Sequence, residues 1–330
     1  MSLLGDGALA ERTSALLTGG DAFVVARVAD GRARVAARGV PLESDVEIGS
    51  VSKGLTGLLL HDAIDRGEVT LDTRLGEHLD VGDGPIADLS LGSLATHRSG
   101  LPRLAPGGHV WRRTLRLMTH GENPYGETLA ELLVRVRDLR PGRARPRYSN
   151  LGFMLLGHAV ASAVGLPYAR LVRERLAQPL SMTGVRVPST PDGLGPHSVA
   201  GTSRRGRTVA AWTGEALAPA GGIRATADDL ARLLGALLDG SAPGISALEP
   251  VARLAGPGVR IGAAWLTTTK DGREITWHNG GTGGFRSLVG IDRDAGRGVA
   301  LVRATNRSAD TVGLTLLTEA DPVGVDVGRR

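Results

Sequence analysis

Two residues that could act together in catalysis are Ser50 and Lys53, a serine and a lysine three positions apart. Of the 39 lysines and arginines only two are lysines, Lys53 and Lys270. Arginine stays protonated in proteins, whereas a buried lysine amine can lose its proton and act as a base. Such a base activates serine, which is otherwise a weak nucleophile. Because positions i and i+3 share a helix face, Ser-x-x-Lys predicts an activated nucleophile or, alternatively, a helix cap followed by a solvated lysine.

A second candidate group is Tyr148-Ser149-Asn150, which directly precedes an apolar segment. A tyrosine whose pKa is lowered by a nearby lysine ammonium can act as general base and later as general acid. Asn150 could hydrogen-bond an acyl amide and orient Lys53. Taken alone, the same residues also fit an ordinary helix start with Asn150 as a cap.

A third candidate group is the glycine-rich stretch 278–284, which begins His278-Asn279-Gly280-Gly281. Glycines let a backbone approach a substrate closely and leave N–H groups available to an oxyanion. The alternative is an ordinary hairpin with a surface histidine. A dinucleotide-binding loop is disfavoured, because the glycine spacing differs and no strand-loop-helix unit surrounds it.

Together the three motifs resemble those of the serine β-lactamase and penicillin-recognising superfamily, especially its class C β-lactamase-like branch of esterases, DD-peptidases and transacylases. There the order is Ser-x-x-Lys, Tyr-x-Asn and Lys-Thr-Gly or His-x-Gly, which here fall at 50–53, 148–150 and 278–280. The resemblance covers roughly residues 20–305 and implies acyl-enzyme chemistry without a metal or cofactor. Two further stretches also resemble the family, 96–102 and 220–230.

The resemblance implies a role for each matching position. Ser50 would be the acylated nucleophile, and Lys53 and Tyr148 would share its proton. Asn150 would bind the acyl side chain or hold Lys53. The backbone N–H groups of Ser50 and Gly281 would form the oxyanion hole.

The third motif departs from the form that carries lysine, because His278 stands at its first position. Neutral histidine attracts a substrate carboxylate much less strongly than the permanent positive charge of lysine does. His278 and Gly280 would line the site, with His278 relaying a proton or binding substrate. Arg286 could supply the missing charge, or be an ordinary surface arginine. β-Lactams and peptidoglycan stems are therefore less favoured as substrates.

Composition excludes several classes of protein. Without cysteine there are no disulfides or thiolate sites, and the eight histidines are too scattered to predict a metal site. The net charge is +5, but dispersed arginines and 3% aromatic residues argue against nucleic acid. No apolar run reaches membrane-spanning length. Because the N-terminus lacks the features of a secretory signal, we expect a cytoplasmic protein.

Periodicity and turn residues predict the elements that must position these groups. Asp30-Gly31 between alternating segments predicts a hairpin, and Thr226 with Asp229 predicts a capping box at a helix start. Strands are predicted at 22–28, 32–37, 259–269, 274–278, 285–292 and 298–305. Helices are predicted at 3–17, 50–66, 128–137, 151–164, 227–238 and 308–319.

These elements indicate an α/β protein of the α+β type, with an antiparallel sheet built from both chain ends and flanked by helices. Residues 1–70 and 250–330 would form the sheet region with Ser50, Lys53 and His278. Residues 71–249 would form a mostly helical region with Tyr148 and Asn150, and the two regions one compact catalytic unit. Loops at 103–127 and 178–220 would set specificity, and His97 would pack a loop near the site.

The leading hypothesis is a serine acyl-enzyme catalyst that acts as esterase, amidase or transacylase on a small ester or amide metabolite. An amine or alcohol would replace water as acceptor in a transacylase. A true β-lactamase or a D-amino-acid peptidase is the alternative within the enzyme class. The alternative from another class is a non-catalytic binding or sensor protein on the same fold. An α/β-hydrolase is disfavoured, because no Gly-x-Ser-x-Gly elbow is present.

Overall fold

A computed structural model describes residues 1–17, 19–107, 110–254 and 258–319. Within them, nine strands form one antiparallel sheet in the order β1-β3-β2-β11-β10-β9-β8-β7-β6, and β4 pairs with β5. The strands are β1 (Leu3–Gly5), β2 (Phe23–Ala29), β3 (Arg32–Arg38), β4 (Val46–Glu47), β5 (Arg224–Ala225), β6 (Ala252–Arg253), β7 (Arg260–Ile261), β8 (Leu266–Lys270), β9 (Arg273–Gly281), β10 (Arg286–Asp292) and β11 (Arg297–Arg303).

Helices flank the sheet and fill the middle of the chain. They are α1 (Gly7–Leu16), α2 (Val51–Asp65), α3 (Leu91–Ala95), α4 (Val110–His120), α5 (Leu129–Val136), α6 (Asn150–Val164), α7 (Tyr168–Val172), α8 (Ala218–Gly221), α9 (Ala227–Asp239) and α10 (Asp310–Thr318). Shorter helical turns occur at Leu75–Glu77, Arg173–Ala177, Pro191–Gly193 and Ile245–Leu248. The predicted fold class, an antiparallel sheet from both chain ends with a helical middle, is confirmed.

Local sequence signals predicted several elements correctly. Asp30 and Gly31 both have positive φ, at 50° and 69°, and join β2 to β3 as a two-residue hairpin. The side chain of Thr226 accepts from the N–H of Asp229, and the carboxylate of Asp229 accepts from the N–H of Thr226. This capping box starts α9 where it was predicted.

Three predictions need correction. The predicted helix at 3–17 begins instead with strand β1, which pairs with β3, and Asp6 caps α1 by accepting from Leu9 N–H. The predicted strand at 259–269 is interrupted between β7 and β8, where Ala264 has a φ of 68° and Trp265 turns into the core. The region 103–127 contains α4 in addition to loops.

The sheet separates two apolar cores. On one face α9 packs on β2 and β11, and α2 and α6 continue the larger core. On the other face α1 and α10 cover Phe23 and Leu288. No single helix in the described ranges is long and apolar enough to cross a membrane, although α6 and Tyr168–Ala177 would pass as one bent pair by length and composition.

Helix α2 is buried on nearly every side, as expected for a central helix with a wide apolar face. Its glycines allow other segments to approach closely. A Cβ on Gly54 would lie 2.8 Å from the ring of Trp265, and a Cβ on Gly57 would lie 2.2 Å from the carbonyl oxygen of Ala263. The indole N–H of Trp265 also donates to the Gly54 carbonyl at 3.1 Å. These contacts fix α2 against the segment that precedes β8.

Replacing Gly57 by alanine should lower the free energy of unfolding by about 1–3 kcal/mol, because a backbone carbonyl occupies the space of the new methyl group. Gly235, also inside a helix, is the matched control, since a Cβ added there would meet no atom of another segment within 4 Å. Gly235→Ala should instead raise stability by about 0.5–1 kcal/mol through helix propensity. Urea unfolding of both variants measures the effects, and equal shifts would contradict the packing argument.

Candidate active site

Ser50 lies between β4 and α2 on a segment held from two sides. The N–H of Ile48 donates to the carbonyl of Ile223 at 3.2 Å, and the carbonyl of Ile48 accepts from the Ser287 hydroxyl at 2.7 Å. Gly49 has a φ of 52°, a left-handed conformation that favours glycine. Residues 44–49 are buried, whereas Ser50 is partly exposed. The hydroxyl of Ser50 is therefore the group of this segment that a substrate can reach.

A buried ionic group supports the same segment. Arg224 of β5 is 1% exposed and pairs with the carboxylates of Asp45 and Glu47. Burial raises the pKa of Glu47, and the charge of Arg224 opposes that shift. Removing one partner would leave a buried charge without compensation, which is strongly destabilising. The ionic group thus fixes β4, and with it the position of Ser50.

Lys53 lies one helical turn after Ser50, with its side chain fully buried. Its Nζ lies 3.1 Å from Ser50 Oγ and donates to the carbonyl of Ala220 at 2.6 Å. Burial, and secondarily the charge of Arg103, hold the pKa of Lys53 well below its usual range. A lowered pKa favours the neutral amine, and a neutral amine can accept the proton of Ser50.

The Tyr148 hydroxyl donates to Ser50 Oγ at 2.7 Å, and Lys53 Nζ lies 4.9 Å from the centroid of the tyrosine ring. Burial raises the pKa of Tyr148, and the hydrogen bond with Ser50 and the charge of Arg103 only partly oppose this. The expectation that a lysine ammonium lowers the pKa of this tyrosine is therefore wrong. Tyr148 is a neutral phenol, suited to pass on a proton rather than to take the first one.

The backbones at Gly49–Ser50 and Gly280–Gly281 touch. A Cβ on Gly49 would lie 2.6 Å from the Gly281 nitrogen, and a Cβ on Gly280 would lie 2.9 Å from the Ser50 nitrogen. Among the described residues, no main-chain carbonyl accepts from the N–H of Ser50. The backbone nitrogens of Ser50 and Gly281 thus lie on two segments in contact beside the Ser50 hydroxyl, as the predicted oxyanion hole requires.

His278 points from β9 into the buried region near Lys53 and is 3% exposed. Its Nδ1 lies 2.6 Å from the carbonyl of Asn279. Burial, and then the charge of Lys53, lower the pKa of His278 to about 3. At neutral pH the imidazole is uncharged, so His278 offers no cation to a substrate.

Asn150 is the first residue of α6, which Ser149 caps by accepting from Gly152 N–H at 2.9 Å. The N–H of Asn150 donates to the carbonyl of Arg103 at 3.0 Å. Its side-chain oxygen is buried and has no hydrogen-bond partner in the described part of the chain. A buried acceptor without a partner is costly, and an amide N–H of a bound acyl group would satisfy it.

Arg286 does not face the nucleophile. Its strand neighbour Ser287 points toward the segment before α2, and side chains alternate along a strand, so Arg286 points to the opposite face. There its guanidinium lies against Gly281 and donates to the carbonyl of Thr282 at 3.3 Å, with Asp310 nearby. Its predicted part in binding substrate is not supported by this geometry.

Arg103 is the residue near the site that sequence reasoning missed. Its guanidinium carbon lies 5.4 Å from the centroid of the Tyr148 ring, and its side chain is exposed. Arg103 directly follows the family-like stretch 96–102. That adjacency, and its place at the start of the loop 103–127, are sequence signals that could have drawn attention to it.

His97 packs the loop beside the site, as predicted. Its ring lies 4.6 Å from that of Tyr148 and 4.9 Å from that of Phe153, and its Nδ1 accepts from Ser149 N–H at 3.2 Å. Burial, and then the charges of Lys53 and His278, keep the pKa of His97 well below its usual range. His97 is thus an uncharged group whose packing positions Tyr148.

The model of one protein family, Beta-lactamase, matches residues 12–320 of this chain. The chain belongs to the Beta-lactamase family. Among curated relatives, the D-alanyl-D-alanine-carboxypeptidase/endopeptidase AmpH of Escherichia coli is 33% identical over 199 residues, which cover 58% of this chain and 48% of that protein. The human putative beta-lactamase-like 1 is 32% identical over 216 residues, which cover 62% of this chain and 41% of that protein. The chain thus spans about half the length of such relatives.

Solved structures agree on the fold. A beta-lactamase/D-alanine carboxypeptidase from Pseudomonas syringae has a TM-score of 0.81 and 17% identity, with 96% of this chain and 99% of that chain covered. A D-alanine carboxypeptidase from Burkholderia cenocepacia has a TM-score of 0.75 and 23% identity, with 90% and 93% covered. Family membership supports a serine acyl-enzyme hydrolase in general. No group of three or more His, Cys, Asp or Glu side chains that could hold a metal ion occurs in the described ranges.

The lowered pKa of Lys53 predicts how activity depends on pH. A base works when deprotonated, so kcat/KM for a nitrophenyl ester should rise with pH as Lys53 loses its proton. Because its pKa is lowered, the midpoint should fall well below the ordinary lysine value of about 10.4. The raised pKa of Tyr148 should keep the phenol protonated at the plateau. A profile from pH 5 to 10 tests this, and a midpoint near 10 would contradict it.

Lys53→Arg tests the same base by a change that keeps the charge. Because arginine does not lose its proton, kcat should fall about 10²- to 10⁴-fold, the usual contribution of general base catalysis. Lys270→Arg is the matched control, since Lys270 is exposed at the end of β8. Thermal unfolding of both variants separates lost chemistry from lost structure. Wild-type rates in a folded Lys53→Arg protein would show that Lys53 is not the base.

Proposed function

We propose that this protein is a serine esterase or amidase, or a transacylase, that acts through an acyl-enzyme on a small ester or amide. The observation that carries the proposal is the position of Ser50 Oγ, 3.1 Å from Lys53 Nζ and 2.7 Å from the Tyr148 hydroxyl. A nucleophile within reach of a depressed amine and a protonated phenol has both a base and an acid.

The reaction proceeds by two acyl transfers. The Lys53 amine takes the Ser50 proton while Oγ attacks the substrate carbonyl, and the N–H groups of Ser50 and Gly281 stabilise the oxyanion. The bond to the leaving alcohol or amine then breaks, and Tyr148 supplies its proton, which the Lys53 ammonium replaces. Water, an amine or an alcohol attacks the acyl-enzyme by the reverse proton path. The acceptor that arrives first decides between hydrolysis and transfer.

A small uncharged group beside β9 fits the electrostatics. The buried His278 is neutral, and Arg286 lies on the opposite face of the sheet. Neither provides the cation that a substrate carboxylate beside Gly280 would need. This supports a neutral ester or amide at that position. The cytoplasmic location remains a prediction.

A D-amino-acid peptidase or β-lactamase is the second candidate. Its support is the 33% identity to AmpH, a D-alanyl-D-alanine-carboxypeptidase/endopeptidase, over 199 residues. Such substrates carry a carboxylate on the leaving side. The two candidates therefore differ in the charge they require near the scissile bond.

Ser50→Ala should lower the rate of nitrophenyl butyrate hydrolysis about 10³-fold or more, since the nucleophile is lost. Intact-mass measurement of the wild type should detect the acyl adduct. Discharge of the adduct in water indicates a hydrolase, whereas discharge only after addition of a small amine or alcohol indicates a transferase. If Ser50 also fails to react with a fluorophosphonate, the proposal is wrong and the fold serves binding alone.

A chromogenic cephalosporin and a D-alanyl-D-alanine peptide distinguish the two candidates. We expect kcat/KM for either to lie at least about tenfold below that for the ester, because a charge-assisted hydrogen bond is missing beside Gly280. Rapid turnover of the cephalosporin, or release of D-alanine at rates above those of the ester, would favour the second candidate.

A further inference from the structure

An exposed guanidinium stands at the edge of the site. The guanidinium carbon of Arg103 lies 5.4 Å from the centroid of the Tyr148 ring, and the carbonyl of Arg103 accepts from Asn150 N–H. Within the described residues, its side chain has no hydrogen bond and no ion pair. Exposed arginines elsewhere often have one, as Arg74 does with Asp88 and Arg137 with Asp80. Arg103 is thus oriented by a ring contact and keeps its donors available.

Three other basic residues of the described site do not present a permanent charge beside Ser50. Lys53 is buried with a lowered pKa, His278 is neutral, and Arg286 points to the far face of the sheet. Burial and then Arg103 lower the pKa of Lys53, so the field of this guanidinium reaches the reaction centre. Among the described residues, Arg103 is therefore an exposed cation in contact with the Tyr148 ring, where an incoming substrate can meet it.

We propose that Arg103 determines specificity by binding a carboxylate of the substrate, so that acidic esters or amides are preferred. This inference rests on the proposed function and names its substrate class. A guanidinium presents two parallel N–H donors that match the two oxygens of a carboxylate. The carboxylate lies on the Tyr148 side of the nucleophile. A lysine at position 278 would instead hold a carboxylate beside Gly280. The two arrangements therefore differ in the location of the carboxylate and in the residue that binds it.

Matched esters test the proposal. The probes are 4-nitrophenyl butyrate, which is neutral, 4-nitrophenyl hemiglutarate, which has an acidic acyl group, and the butyrate ester of 3-carboxy-4-nitrophenol, which has an acidic leaving group. For each, kcat/KM is measured with the wild type, Arg103→Gln, Arg103→Lys and Arg232→Gln. Arg232 is exposed on α9, so its variant controls for the loss of one positive charge.

In Arg103→Gln, the ratio of an acidic to the neutral ester should fall about 10- to 100-fold for at least one acidic probe, the usual effect of losing a charged hydrogen bond. An effect of the substitution on the catalytic steps that all the esters share changes each kcat/KM by the same factor, so it cancels in this ratio. Arg103→Lys should recover part of the loss, because it keeps the charge without the planar fork. Arg232→Gln should leave the ratio unchanged. The affected probe shows whether the carboxylate belongs to the acyl or the leaving half.

Ratios that are unchanged for both acidic probes in Arg103→Gln would overturn the proposal, while Ser50-dependent turnover of the neutral ester would leave the proposed function standing. A binding measurement serves if turnover fails. Calorimetry of the Ser50→Ala protein with the hemiglutarate ester should show an affinity that falls about tenfold or more when Arg103→Gln is added. Equal affinities would also overturn the proposal.

Discussion

The burial of one amine, that of Lys53, is the constraint on which this site depends. An ammonium without water costs several kcal/mol unless an anion compensates it, and the hydrogen-bond partners of this amine are a carbonyl and a hydroxyl. The amine therefore loses its proton readily, which makes it a base. The same burial keeps His97 and His278 uncharged and Tyr148 protonated. A central helix enclosed by sheet and helices thus disfavours the charged form of each of these groups.

The sequence predicted best those elements whose signals are local. The Asp30-Gly31 hairpin and the capping box of α9 need only neighbouring residues, and both occur where expected. The errors at 3–17 and 259–269 arose where a distant partner decides. Residues 3–5 become a strand because β3 offers them an open edge. The break after β7 exists because Trp265 packs against α2, which no local pattern reveals.

The site shows the same division. The order of the three motifs predicted which residues form the site. Their charge states could not be predicted in the same way, because they depend on burial and on the distances between side chains. The pKa of Tyr148 was expected in the wrong direction, because a lysine ammonium would lower it, whereas burial of the phenol raises it. Arg286 was misplaced because the face of β10 that meets α2 was unknown, and Ser287 takes that face. Arg103 opens the loop 103–127 that was expected to set specificity, but its contact with Tyr148 could not be predicted, since only the fold determines the course of that loop.

Placing the cation at position 103 rather than 278 has a physical consequence for the base. His278 lies close enough to Lys53 for the charge of Lys53 to lower the pKa of His278. A second amine at 278 would oppose the charging of Lys53, and a bound carboxylate beside both would favour it. With a neutral imidazole at position 278, the pKa of Lys53 is set mainly by burial, and the charge of Arg103 at the surface lowers it further. In the role proposed for Arg103, substrate charge is recognised at the rim without a counterion next to the base. Because Arg103 also contributes to the lowered pKa of Lys53, specificity and basicity stay linked through this residue.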